Sequence, residues 1–156
     1  MATKQFMKIG SVKGNSKDGK HDGWSDVKSI STGVGNAVNC VQAAKGKSSG
    51  AAATLSNISV KMEVDKSIPE LLAYCAVGKV WDKAEFEICE EGESDPLLRI
   101  ELGDKVAVTS CNVQADAAGS PEVTLGIAFA KITWKYKTDK DLFWDLKKNE
   151  GSLKAK

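Results

Sequence analysis

The sequence predicts a mainly β protein, a closed or nearly closed β-barrel or a sandwich, with one helix on its flank. Three observations support this fold class. Apolar and polar residues alternate along several stretches, and turn residues separate those stretches. Only one segment carries start and stop signals for a helix. One segment, residues 42–53, has too few large apolar residues to pack, which predicts a long loop between strands. At 156 residues the chain fits a single domain, 1–156.

Strand patterns occupy most of the chain. In order, they are QFMKIGSV, WSDVKSISTGVG, TLSNISVKMEV, KAEFEICEE, PLLRIELGDKVAVTSCNVQA and EVTLGIAFAKITWKYKT. In the last of these, the apolar residues of 123–129 have one parity and those of 132–136 have the other. Such a change predicts a bulge or a strand that is buried on both sides.

The helix is predicted at Ile68–Val77. Ser67 and Glu70 have the spacing of a capping box, in which each side chain bonds to the backbone N–H of the other. Pro69 lies in the first turn, where its missing N–H costs nothing. Gly78 suits the left-handed residue that ends many helices.

Two segments are predicted to lie outside the packed body. Residues 42–53 are Gly, Ser, Ala and Lys apart from Gln42, and so predict an exposed, extended loop. The tail 147–156 is predicted to fray, although the apolar residues just before it should dock on the body.

Composition limits the classes of partner. The formal net charge is +1 with both signs interspersed, which argues against nucleic acid or membrane lipid as the main partner. No stretch approaches the ~20 apolar residues of a membrane span, and the first ten residues do not resemble a secretory signal. The four cysteines lack metal-site spacing, so free thiols and synthesis in a reducing compartment are expected, without a metal or cofactor.

The segment Gly14–His21 reads G-x-x-x-x-G-K-H, one residue away from a phosphate-binding loop. Lys20 is the required cation, but His21 replaces the Ser or Thr hydroxyl that would hold magnesium. The residues that follow, DGWSD, favour a turn rather than the helix that such a loop opens. The segment is therefore interpreted as a solvated loop between two strands.

A catalytic set is not found in the sequence. His21 lies in a Gly/Asp/Lys stretch, which favours a solvated histidine over a general base. Glu85 and Glu87 share a strand face opposite Phe86, and so are expected to face water. The sequence therefore predicts a protein that is not an enzyme, and a β-rich surface for assembly.

The order of several motifs resembles a known family. These are MKIGSVKGNSKDGKH, STGVGN, the Gly/Ser-rich loop, SVKMEVDKSIPELLAYCAVGK, AFAKITWKYK and the terminal WDLKKN. In this order and spacing, from about Phe6 to Asn149, they resemble the hemolysin-coregulated proteins, the tube component of bacterial type VI secretion systems.

The resemblance implies an architecture and a role. It implies a β-barrel of two packed antiparallel sheets with the helix beside it. It implies homo-hexameric rings that stack into a tube, inside a contractile sheath and below a spike protein. Such a protein is made in the cytoplasm and is secreted by the type VI system without a signal peptide.

The resemblance also carries residues. Ser31 matches a position that faces the lumen, where small effector proteins are held. The segment Lys45, Gly46, Lys47, Ser48, Ser49, Gly50 matches the loop that reaches a neighbouring ring. Two alternatives stay open: an adaptor or chaperone that binds effectors without polymerising, and a phosphate-handling enzyme built on Gly14–His21.

Overall fold

The computed structural model describes residues 2–46, 53–93, 95–137, 140–148 and 150–155. Within them the strands are β1 Thr3–Ile9, β2 Ser25–Val27, β3 Ser29–Ser31, β4 Val34–Gly35, β5 Thr54–Leu55, β6 Ile58–Glu63, β7 Val80–Glu90, β8 Leu98–Gln114, β9 Glu122–Tyr136, β10 Lys140–Asp145 and β11 Glu150–Ala155. The helices are α1 Cys40–Ala44 and α2 Ile68–Val77. The predicted β class is confirmed.

The strands form packed antiparallel sheets that do not close into a complete barrel. Hydrogen bonds link them in the order β2-β1-β7-β8-β9-β10-β11, and β6 pairs with both β9 and β3. The segment from β2 to β3 passes from the β1 edge of this sheet to the β6 edge: β2 pairs with β1, whereas β3 pairs with β6. Between them the Lys28 N–H donates to the Lys61 carbonyl at 2.8 Å. Of the predicted alternatives, the fully closed barrel is not formed, because the ladder changes partner at this bend; the packed antiparallel sheets are confirmed.

The change of parity among the apolar residues of 123–136 coincides with a change of neighbouring strand along β9. Residues 122–127 pair with β6, whereas residues 131–136 pair with β10 on the same edge. The opposite strand, β8, has register shifts at Gly103/Val106 and at Val108/Ser110. Extra residues in one strand bend the pair and increase its twist. The predicted bulge exists, and it lies in the partner strand rather than in β9.

The core lies between the inward faces of these strands. Its largest fully buried side chains are Phe86, Ile9, Ile58, Met62, Leu71, Ile100, Leu102, Leu125, Ile127, Ile132, Val60 and Val106. Strand alternation produces this set, since every second residue points inward. Helix α2 closes one side, where Leu71 is fully buried and the helix packs against β8.

The limits of α2 agree with the prediction, but its cap does not. Gly78 has φ +71° and ends the helix in the left-handed region, as expected. The Ser67 side chain does not cap the helix; its hydroxyl bonds instead to the Asp65 carboxylate. Asp65 also accepts the Ser67 N–H at 2.8 Å. The prediction of a capping box is wrong, because the Asp65 carboxylate, two residues upstream, accepts the hydrogen bonds of Ser67.

Two further elements lie in segments for which the sequence predicted no regular structure. The predicted extended loop begins with a helix, α1, whose cap Asn39 accepts the Gln42 N–H at 3.1 Å. Asn is a preferred N-cap, so five residues suffice for a turn of helix. The strands β4 and β5 pair at the base of this excursion. Where the tail was expected to fray, β11 pairs with β10.

Candidate functional site

Ser31 lies on an exposed polar face formed by four strands. It pairs with Ser59 of β6, which pairs with Gly126 of β9, which in turn pairs with Ser110 of β8. Ser31, Ser59 and Ser110 are exposed. A Cβ on Gly126 would lie 2.6 Å from the Ser110 hydroxyl oxygen, so a side chain at this position would force the Ser110 hydroxyl to move. We call these four residues the small-residue row.

Charged side chains lie beside that row. The Lys28 ammonium is 2.9 Å from Glu122 and 3.4 Å from Glu63, and Lys61 is 3.4 Å from Glu122. The hydrogen bond to Glu122 raises the pKa of Lys28, and the hydrogen bond from Lys28 lowers the pKa of Glu122. The face thus combines small hydroxyl groups with paired charges.

The excursion between β4 and β5 contains part of the predicted inter-ring loop. Lys45 is the C-cap of α1, and Gly46 follows with φ +75°. Lys47–Gly50 lie outside the described residues. Just before and within α1, apolar side chains point into solvent: Val38 is 53% exposed and Val41 is 63% exposed. Exposed apolar groups clustered on a projection are typical of a contact surface.

The segment Gly14–His21 forms part of a tight hairpin. Its backbone donors are used internally: Gly14 N–H to Gly23 at 2.8 Å, and Ser16 N–H to Trp24 at 2.8 Å. The next element is β2, not a helix. These two N–H groups are therefore not available to a phosphate, and the interpretation as a loop between strands agrees with the structure.

His21 is buried, which contradicts the prediction of a solvated side chain. It is 5% exposed and stacks on Phe6, with ring centroids 3.9 Å apart and planes 5° apart. Its Nδ1 is 2.9 Å from Asp18 Oδ1, and its Nε2 is 2.5 Å from Glu87 Oε2. The hydrogen bond with His21 lowers the pKa of Asp18. His21 therefore ties the hairpin to β7.

Glu87 is also buried, so the expectation that it faces water is wrong. The hairpin covers this face of β1 and β7, and Phe6 pairs with Glu87 in the register. Arg99 reaches Glu87 at 3.3 Å and Glu85 at 3.2 Å. Burial alone would raise the pKa of Glu85, but its contacts with Lys83 and Arg99 lower it. The carboxylates belong to an ion-pair network rather than to a solvated face.

Cys89 completes a group that could hold a metal ion. Ligand atoms of His21, Glu87 and Cys89 all lie within 4.8 Å of one another. Burial raises the pKa of the Cys89 thiol, and the negative charges of Glu87 and Asp18 raise it further. The sequence analysis missed this group because its members are far apart in the chain. The alternation Glu87-x-Cys89 on one strand face was the only local signal.

The chain was compared with known proteins. Residues 6–136 match the profile of a family described as "Type VI secretion system effector, Hcp". The chain belongs to the Hcp family. The resemblance inferred from the motifs is therefore confirmed, and the matched segment runs from β1 to the end of β9.

Solved structures support the same fold. A structure described as a type six secretion system protein aligns with a TM-score of 0.88 at 24% identity, covering 97% of this chain and 100% of the other. Hcp1 from Salmonella typhimurium aligns with a TM-score of 0.83 at 22% identity, with coverage of 97% and 100%. The secreted protein Hcp3 from Pseudomonas aeruginosa aligns with a TM-score of 0.64 at 14% identity, covering 99% and 98%. No curated protein sequence matches the chain significantly.

Membership in the Hcp family connects the chain to type VI secretion. Within the described residues, no helix combines the length and the apolar character that crossing a membrane requires.

Proposed function

We propose that this protein is a structural subunit of the type VI secretion tube. Six copies form a ring, rings stack into a tube, and small effector proteins are held in the lumen. The observation that carries this proposal is the Hcp family match over residues 6–136. The matched segment contains all the buried hydrophobic residues of the core among the described residues.

Ring formation needs two different surfaces that fit each other, because a cyclic hexamer uses heterologous contacts. One candidate is a shallow apolar hollow of about 260 Å³ that lies at the start of β7 and at the middle of β8 and β9. Val80, Ala107 and Ala128 are neighbours across these three strands, and Val80 is 49% exposed. We call these three residues the apolar hollow. Small side chains there allow close approach of a second backbone.

Stacking needs a projection that leaves the plane of the ring. The excursion between β4 and β5 suits this role, because Val38 and Val41 expose more than half of their side chains. We assign the inter-ring contact to this excursion, including Lys45 to Gly50. Complete burial of an exposed valine contributes about 1.5–3 kcal/mol to the free energy of association. Each ring offers several such contacts, which favours cooperative stacking.

The small-residue row suits a surface that holds cargo. Ser31, Ser59 and Ser110 offer hydroxyl donors and acceptors without bulk, so effectors of different shape can approach. We assign Ser31 to the lumen on this basis. In the same scheme the spike protein binds at the tube tip, the sheath surrounds the tube, and the subunit is made in the cytoplasm and exported without a signal peptide.

Native mass spectrometry of the full chain, with negative-stain images of the same sample, tests the assembly. The expected result is a six-subunit mass and ring-shaped particles. A protein that remains monomeric or dimeric at all concentrations would refute the ring. If that protein still bound effectors, the adaptor alternative would replace the tube subunit.

Charge substitutions separate the two proposed contacts. Val80→Asp places an unpaired carboxylate in the apolar hollow, and the cost of burying it should abolish rings. Val41→Asp should leave rings intact and prevent stacking. Val113→Asp is the matched control, because Val113 is 50% exposed and lies outside both surfaces. Circular dichroism must show the same fold in all three variants.

Ser31→Arg tests the lumen assignment. The variant should form rings as the unchanged protein does, since Ser31 is outside the apolar hollow. Co-purification of small effectors with the ring should fall. Unchanged effector retention, with Ser59→Arg as a second variant on the same row, would place the cargo surface elsewhere.

A further inference from the structure

Three metal-ligating side chains of different types converge beneath the Gly14–His21 hairpin. Glu87 and Cys89 are two residues apart on β7, so both point to the same side of the strand. His21 reaches them from the hairpin, and the ligand atoms of the three residues all lie within 4.8 Å of one another. His21 and Glu87 are buried and Cys89 is half-buried. The group therefore lies under a cover, and none of its residues belongs to the proposed ring or stacking surfaces.

We propose that His21, Glu87 and Cys89 bind a zinc ion through Nε2, a carboxylate oxygen and Sγ. Imidazole nitrogen, carboxylate oxygen and thiolate sulfur are the ligands that Zn²⁺ prefers, whereas Mg²⁺ and Ca²⁺ require oxygen. The proposal does not depend on the tube function, since no residue of the group belongs to the apolar hollow or to the excursion.

The distances require a small movement. Ligands at about 2.0–2.3 Å from a tetrahedral zinc ion are about 3.3–3.8 Å from one another. Nε2 and Oε2 are now 2.5 Å apart, which is too close for an ion between them. Glu87 must therefore retreat from His21 by about 1 Å, a distance that a carboxylate covers by rotation of its side chain. Arg99, 3.3 Å from the other Glu87 oxygen, lies where it can hold the displaced carboxylate.

The surroundings match those of a metal-bound histidine. Metal-ligating histidines usually donate their other ring N–H to a carboxylate, which fixes the ring and its tautomer. Asp18 supplies this contact at 2.9 Å from Nδ1. The stacked Phe6 ring and the edge of Trp24, 5.1 Å away, further restrict the His21 plane. Nε2 is therefore held in the direction of Glu87 before any ion arrives.

Charge also favours a divalent cation. Without an ion, His21 contacts a carboxylate at each ring nitrogen, so both contacts are hydrogen bonds only if both nitrogens carry protons. Zinc binds the Nε2 lone pair and the Cys89 thiolate, so the thiol proton leaves to solvent, together with any proton that Nε2 carries. The negative charges of Glu87 and Asp18, which oppose a bare thiolate, attract the cation.

A cavity lies next to the residues that support the group. It has a volume of about 470 Å³ and is lined by Lys4, Phe6 and Asp18, among others. Solvent in this cavity therefore contacts Asp18, the carboxylate that holds His21 Nδ1.

Cobalt titration of the reduced, full-length protein tests the proposal, because Co²⁺ reports thiolate ligation by a near-ultraviolet charge-transfer band. The expected result is one equivalent of Co²⁺ bound with that band, displaced by one equivalent of Zn²⁺. Cys89→Ser should remove the band and weaken zinc binding at least ~10-fold. Cys111→Ser is the matched control, a half-buried cysteine on β8 that should keep both properties.

A second variant makes the test independent of the thiol. Asp18→Asn keeps the size of the side chain but removes its charge, and should weaken zinc binding about 10–100-fold through His21. Circular dichroism must match the unchanged protein. The proposal is overturned if no charge-transfer band forms, if the band survives in Cys89→Ser, or if zinc binding is the same in both cysteine variants.

Discussion

The hairpin that carries His21 allows a sharp test of packing, through Gly14. This residue is buried where the two sides of the hairpin meet. A Cβ added to it would lie 2.3 Å from the Ser25 hydroxyl oxygen, 2.6 Å from the Trp24 carbonyl oxygen and 2.7 Å from the Ser25 Cα. Two of these three atoms are backbone, so rotation of a side chain cannot relieve the clash. Gly14→Ala should therefore destabilise the protein.

The magnitude follows from the cost of overpacking. Forcing one methyl group into a filled site costs typically 1–3 kcal/mol. In a chain of this size, each kcal/mol lowers the melting temperature by roughly 2–4 °C. We therefore expect Gly14→Ala to melt roughly 2–12 °C below the unchanged protein.

Gly19 is the matched control in the same hairpin. It has open space around the added Cβ and is exposed. Gly19→Ala should be neutral or should raise stability by about 0.4–1 kcal/mol, because alanine restricts the unfolded chain. Thermal and urea unfolding, followed by circular dichroism at one fixed protein concentration, measure both variants. Equal stability of the two variants would refute the reasoning, because it would mean that the hairpin relaxes freely.

Two other outcomes are expected. Interactions in the folded state lower the pKa values of Asp18, Asp104 and Glu122. The contribution of these carboxylates to stability is therefore present above the unfolded pKa of about 4 and is lost as pH falls through the folded pKa values. The urea midpoint should be lower at pH 3 than at pH 6, and an equal or higher midpoint at pH 3 would contradict this sign. Asn39→Ala removes the cap of α1 and costs about 1 kcal/mol locally, so the amides of Cys40–Ala44 should exchange hydrogen about fivefold faster. The global unfolding midpoint should stay the same, because α1 buries no residue. A lower global midpoint would show that the excursion is coupled to the core.

Local rules recovered the elements whose signals are contained in a short stretch. Helix α2 ends at Gly78 because a left-handed residue is required there, and glycine supplies it without steric cost. The parity change in the last long pattern also carried real information. It marks where β9 leaves β6 and takes β10 as its neighbour.

Contacts between distant residues could not be predicted in the same way. His21 and Glu87 are 66 residues apart, and each looks solvated in its own sequence context. Their burial depends on the hairpin folding back over β1 and β7, which no local pattern reveals. The helix α1 was missed for the opposite reason. Its small residues resemble a flexible loop, and only the single cap at Asn39 indicates a helix.

The length of β8 and β9 has a consequence for how the chain folds. These strands are consecutive, of 17 and 15 residues, and together they contact β6, β7, β10 and α2. Their pairing closes a short loop at little entropic cost. The pairing of β1 with β7 closes a loop of about 80 residues, which costs more conformational entropy. We expect the β8–β9 hairpin to form first and to serve as the template on which the N-terminal strands are added. Substitutions at its centre should then slow folding, whereas substitutions in β1 should mainly speed unfolding.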